Sequence, residues 1–252
     1  MTTRDSIEKL EGKSSVPSNT AIKPYLSPVD PSGQFGVSIP SNERIILGGF
    51  EGELSLSDLR IPTLGIAQGI GPLSEEFRSG AIVLDRQTEL SAGASPVELT
   101  VIKCRKFYQE KLPYGSEIRP KKFETEEDVI RAGGTINWEY NTPPSYEPVL
   151  QVTVLVLCPD GVVGAFPYEY AEKDFAVADW YLRGMAYQRA GKLLLTTCAQ
   201  LARAGQATYG TRWELTTTRE KLKNGNTVVV PVLRMKGKHN ADFAAFAASL
   251  LG

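Results

Sequence analysis

Histidine and cysteine are scarce in this chain of 252 residues, which has one His and three Cys. His239 alone cannot supply a multi-histidine metal centre, and beside Lys238, ahead of a helical pattern, it reads as a surface residue rather than a catalytic base. Cys104, Cys158 and Cys198 are odd in number and widely spaced, which argues against a disulfide framework and against a zinc site; they read as buried thiols. Long apolar runs are missing as well. No stretch reaches the roughly 18 apolar residues of a membrane span, and the opening MTTRDSIEKLEGK lacks the charged-then-apolar form of a secretory signal. The expectation is an intracellular protein without membrane contact.

Signatures of catalysis are equally thin. There is no Gly-x-Ser-x-Gly elbow, and the glycines of Gly48-Gly-Phe-Glu-Gly52 and Gly69-Ile-Gly71 are not followed by the Lys-Ser/Thr of a phosphate cradle, so they read as turns. The acids Glu75-Glu76 and Glu124 to Asp128 sit where helices begin and suit the helix dipole better than a metal ion. The chain is expected to be no enzyme and to need no cofactor or metal.

Apolar residues make up 42% of the chain, enough to bury one sizeable core. Residues 1–44 hold eight Ser, five Pro and three Gly, with five charges of each sign, a composition that cannot repay its ordering entropy. They are expected to form a flexible arm ahead of a single β-rich domain over 45–252. Strand-like runs cover Leu59 to Gln68, Ala81 to Arg86, Val97 to Tyr108, Val149 to Leu157 and Val162 to Tyr170. Arg212 to Lys221 and Thr227 to Lys236 flank Asn224-Gly225, the signal of a tight hairpin, and Pro231 marks its second strand as an edge or bulge. Thr125-Glu-Glu-Asp128 predicts a capping box opening a short helix to about Ala132, Gly184 to Ala204 a long helix, and Asn240 the cap of a final helix carrying Phe243, Phe246, Ala247 and Leu250. Periodicity does not decide between helix and strand for Phe175 to Leu182. The expected class is mainly β (α+β), an OB-like β-barrel or strongly bent antiparallel sheet with a long, a short and a C-terminal helix.

What the chain does have is charge in blocks. The net charge is only −1, yet residues 103–122 carry seven cations against two acids, 123–179 two against eleven, and 180–238 eleven against two. Local potential, not the total, attracts phosphate. The basic residues of the first block, Lys103, Arg105, Lys106, Lys111, Arg119, Lys121 and Lys122, accompany the rings of Phe107, Tyr108 and Tyr114. Because cations occupy both faces after Val101, this segment is expected to leave the core and protrude. The hairpin brings Arg212, Lys221, Lys223, Arg234 and Lys236 beside Trp213. If the two blocks share one groove, the cations would neutralise a phosphate backbone while the rings stack bases, as single-strand binders do.

Asp58-Leu-Arg-Ile-Pro-Thr-Leu-Gly-Ile-Ala-Gln68, followed by Gly80-Ala-Ile-Val-Leu-Asp85, resembles the opening of a diffuse group of bacteriophage proteins associated with replication and recombination. In that group an Ile-Pro segment ending in Gln precedes a Gly-rich turn and a strand. Val97 to Tyr108 and GMAYQRAGK, Gly184 to Lys192, are similar to later parts of it. The resemblance implies a non-enzymatic single-stranded-DNA-binding protein of OB-like fold, acting in the cytoplasm of a bacterial host. Duplex DNA and RNA stay open as strand types, as does homo-oligomerisation. Two other functions are weighed beside it: a virion or assembly protein whose opposite charge blocks meet between subunits, and a metal-dependent DNA-processing enzyme with dispersed acids.

Overall fold

The computed structural model describes residues 60–113, 115–164, 166–222 and 225–250. The expected arm of residues 1–44, the candidate residues Tyr114 and Lys223, and Asn224 of the hairpin turn lie outside the described residues.

The chain is mainly β. In order come β1 (Thr63–Ile66), β2 (Ile82–Leu84), β3 (Thr88–Ser91), β4 (Val97–Glu110), β5 (Lys122–Phe123) and the short helix α1 (Glu126–Arg131). They are followed by β6 (Tyr146–Leu157), β7 (Tyr168–Tyr170) and β8 (Lys173–Leu182). A helical stretch then begins as α2 (Gly184–Ala186), widens into a π turn at Tyr187–Gly191 and continues as α3 (Lys192–Arg203). The hairpin β9 (Thr211–Lys221) and β10 (Thr227–Lys238) and the helix α4 (Ala241–Ser249) complete it. One sheet runs in the order β10-β9-β4-β6-β8-β1-β2-β3, with β5 on β4 and β7 on β8, and curls into half a barrel. Its pairings are antiparallel except β1 with β8.

Alternation along the central strands divides the apolar residues between two faces. Leu150, Val152, Val154 and Val156 of β6 join Val97, Leu99 and Val101 of β4 in the main core, which Tyr187, Ala190 and Leu194 of the helical stretch cover. The other face holds Ile102, Leu155, Phe175 and Val177, covered by Phe243, Ala247 and Leu250 of α4. Local signals start both terminal helical turns: the Thr125 hydroxyl accepts from the Asp128 N–H at 3.2 Å, and Asn240 Oδ1 accepts from the Phe243 N–H at 2.8 Å.

The open ends of the half-barrel meet through loops and side chains instead of a strand ladder. The Gln68 amide donates to the Val229 carbonyl (3.1 Å) and its oxygen accepts the Val229 N–H (3.0 Å), imitating a peptide group on the edge of β10. Nearby, the Thr217 N–H donates to the Gly93 carbonyl at 3.0 Å and its hydroxyl to the Gly80 carbonyl at 2.7 Å. The Gln and the Gly-rich turn quoted for the phage resemblance thus form a structural seam.

Several expectations change. Among the described residues of Val162 to Tyr170, the strand is Tyr168–Tyr170. Phe175 to Leu182 resolves as strand β8, buried on both faces, which erases the alternation that would have revealed it. The basic end of β4 does not leave the core either: a bulge between Val101 and Lys103 re-phases the strand, which stays paired with β6 as far as Glu110–Tyr146. His239 is half-buried rather than a plain surface residue, with Nε2 2.7 Å from the Thr100 hydroxyl and its ring stacked on Phe243 at 3.9 Å. Burial, aided by the nearby Arg212 charge, lowers its pKa to about 4.

Candidate nucleic-acid interface

Strand β4 places the first basic block. Beyond the bulge, Lys103 lies opposite Thr153, Arg105 opposite Gln151 and Lys106 opposite Leu150. Arg105 is held by a forked contact to Glu124, and the Lys106 ammonium donates to the Tyr108 hydroxyl at 2.9 Å, a bond that raises its pKa. Phe107 and Tyr108 are at most 6% exposed. Tyr108 packs with Val129 of α1 and Tyr146, so α1 and β5 cover what the sequence suggested was a protruding segment. Lys122 lies over the Phe107 ring at 5.1 Å. Neither ring offers a face to a base.

The other four cations of this block stand differently. Lys111, Arg119, Lys121 and Lys122 are exposed at the end of β4, on the 111–121 loop and on β5, and among the described residues none of them forms an ion pair. The Lys121 carbonyl accepts the Glu110 N–H at 2.9 Å, which ties the foot of the loop to the strand.

The second block lies elsewhere. Antiparallel register sets Leu215 opposite Val97 and Arg212 opposite Thr100, so β9 climbs toward Lys221 while β4 descends toward Glu110. Lys221 and Lys111 are therefore separated by roughly 60 Å of strand path at about 3.3 Å per residue, shortened by the curl. Arg212 approaches Glu98 at 3.9 Å and Lys236 reaches Glu214 at 3.1 Å; Lys221 and Arg234 are exposed. Trp213 is core, its indole N–H donating to the Thr211 hydroxyl at 2.9 Å. Of the expected track, the outer members Lys111 and Lys221 run to opposite ends of the paired strands, and Arg105, Arg212 and Lys236 meet carboxylates.

Sequence reasoning passed over two exposed rings. Trp138 is 70% exposed and Tyr140 fully so, within Asn137-Trp-Glu-Tyr-Asn-Thr-Pro-Pro144. The signal was available, since aromatic residues among Asn and Pro have no periodic pattern to bury them.

Asp179 is buried, but Oδ1 accepts from Thr153 at 2.8 Å and Oδ2 from Gln151 at 2.7 Å, as in a structural network. Among the described residues no three His, Cys, Asp or Glu side chains gather in a metal-binding group, and no helix is long and apolar enough to cross a membrane. No known family model, curated protein or solved structure matches the chain.

Proposed function

We propose that the protein binds single-stranded nucleic acid, with single-stranded DNA of a phage-type replication or recombination system as its substrate, and catalyses nothing. The observation that carries this reading is the set of exposed cations, Lys111, Arg119, Lys121 and Lys122, that form no ion pair among the described residues and gather at one end of β4. Cations already engaged by carboxylates contribute little to attracting phosphate; these four keep their full potential. The interface is thus smaller than the sequence suggested and confined to one end of the sheet. Opposite charge blocks would also suit subunit assembly; within the chain one contact between unlike blocks is already made, Arg105 of 103–122 with Glu124 of 123–179.

Fluorescence anisotropy of labelled oligo-dT over a salt series tests the proposal. Four phosphate contacts on a single strand give a slope of log affinity against log salt of about −3. The double change Lys121→Glu and Lys122→Glu should reduce that slope by about 1 to 1.5. Duplex DNA and RNA of the same length set the strand preference. No binding at low salt, or a slope untouched by the double change, would overturn the reading.

A further inference from the structure

We propose that the turn carrying Trp138 and Tyr140 is the base-stacking platform of this interface, taking the place of the buried Phe107, Tyr108 and Trp213. It rests on the single-strand reading above and names the groups that would hold the bases.

The turn is built to present rings. The Glu139 N–H donates to the Thr142 carbonyl at 3.1 Å and the Thr142 N–H to the Glu139 carbonyl at 2.7 Å, closing a two-residue loop. Its central residues, Tyr140 and Asn141, have φ of 44° and 71°. Such tight turns favour Asn and Gly at these positions, so an aromatic residue at the apex stands against local preference. Strain of this kind points toward function. Both rings also forgo the burial that aromatic side chains ordinarily gain.

The turn springs from the same place as these exposed cations. The Thr135 N–H donates to the Ser145 hydroxyl at 2.8 Å, and the Ser145 N–H to the Thr135 hydroxyl at 3.1 Å, joining the two feet of the aromatic loop. The Ser145 carbonyl accepts the Lys111 N–H at 2.8 Å, so the first residue of the basic loop is bonded to the aromatic loop's foot. Of the acids nearby, Glu124 is taken by Arg105, Asp128 by Arg131, and Glu126 lies 3.4 Å from the Tyr108 hydroxyl. Glu117 and Glu139 are the acids on the two loops, and the Glu110 carboxylate accepts the Lys121 N–H at 3.1 Å, against Lys111, Arg119 and Lys121. A basic loop and a loop of exposed rings joined at their feet match one occupant: a flexible single strand whose phosphates meet the amines while its bases splay onto the rings.

The chain contains three Trp, and Trp180 and Trp213 are buried, so oligo-dT should quench tryptophan emission through Trp138. Quenching is expected to vanish in Trp138→Ala. Trp138→Ala and Tyr140→Ala should each weaken oligo-dT binding about 5- to 150-fold without changing the salt slope, the range set by loss of one stacked base. Trp138→Phe and Tyr140→Phe, which keep a ring, should retain most of the affinity, and unaltered far-UV circular dichroism checks that each variant folds. If the wild-type chain binds oligo-dT and the Lys121/Lys122 double change weakens it, while both alanine variants bind as wild type, the platform is overturned and the single-strand reading survives. Failure of the wild-type chain to bind overturns both. If Trp138→Ala abolishes self-association and leaves oligo-dT affinity intact, the turn is a contact between copies and the proposal fails.

Discussion

Replacing Gly93 with Ala tests whether the seam holds the curled sheet closed. Gly93 follows β3 with φ of +97°, and a Cβ there would lie 2.2 Å from the Gly80 carbonyl oxygen and 2.3 Å from the Thr217 hydroxyl. The Gly80 oxygen is backbone and cannot rotate away, so the segments before β2 and after β3 would have to part, and Thr217, which bonds to both, would lose its partners. Gly133, with φ of +77° and nothing within 4 Å of its Cβ, is the natural control. A side chain at either position carries left-handed backbone strain of about 1–2 kcal/mol. Only Gly93→Ala should also lose the Thr217 N–H bond to Gly93 and the Thr217 hydroxyl bond to Gly80, each worth about 1 kcal/mol net. The expected losses are therefore about 3–4 kcal/mol for Gly93→Ala and about 1–2 kcal/mol for Gly133→Ala, read from urea denaturation midpoints at constant slope. The larger is a substantial fraction of the 5–15 kcal/mol typical of a folded chain. Equal losses at the two positions would refute the seam.

Gln68→Leu should cost about 1–3 kcal/mol by stripping both partners from the Val229 peptide, and light scattering should show new association through the uncovered edge of β10. For His239 the folded pKa of about 4 lies below the reference value of 6.5, so the unfolded chain takes up a proton that the folded chain refuses. Its stabilising effect is present above pH 6.5 and is lost as pH falls toward 4. With the ring partly exposed, the loss should be about 1 kcal/mol, and His239→Gln should flatten the difference in denaturation midpoints across that window. Cys104 on β4 and Cys198 on α3 have sulfurs 4.0 Å apart, and the Cys104 thiol's hydrogen bond lowers the Cys198 pKa. With hydrogen peroxide, the Cys198 thiolate should become a sulfenic acid, releasing hydroxide. The Cys104 thiol should then displace water to form a disulfide. Intact mass should fall by two hydrogens, reversibly with dithiothreitol, and Cys104→Ser should abolish the change while leaving Cys158 unaffected.

The sequence by itself determined what depends on a few neighbouring residues. The Thr125 and Asn240 caps and the pairing of β9 with β10 follow from side chains that satisfy backbone groups within a turn, or from two strand-like runs flanking an Asn-Gly turn signal. The mainly β class and Pro231 on an edge strand were legible for the same reason. Tertiary structure decided the remainder. Phe107 and Tyr108 look exposed beside their cations because the sequence does not show a bulge re-phasing β4 or Val129 closing over Tyr108 from twenty-odd residues away. Likewise, neither basic block contains anything that tells which way its strand runs. Antiparallel register sends Lys221 and Lys111 to opposite ends, while the Lys111 N–H bonds to the Ser145 carbonyl at the foot of the loop that carries Trp138 and Tyr140. Burial and proximity are properties of distant parts of the chain packed together, and no local pattern of residue types encodes them.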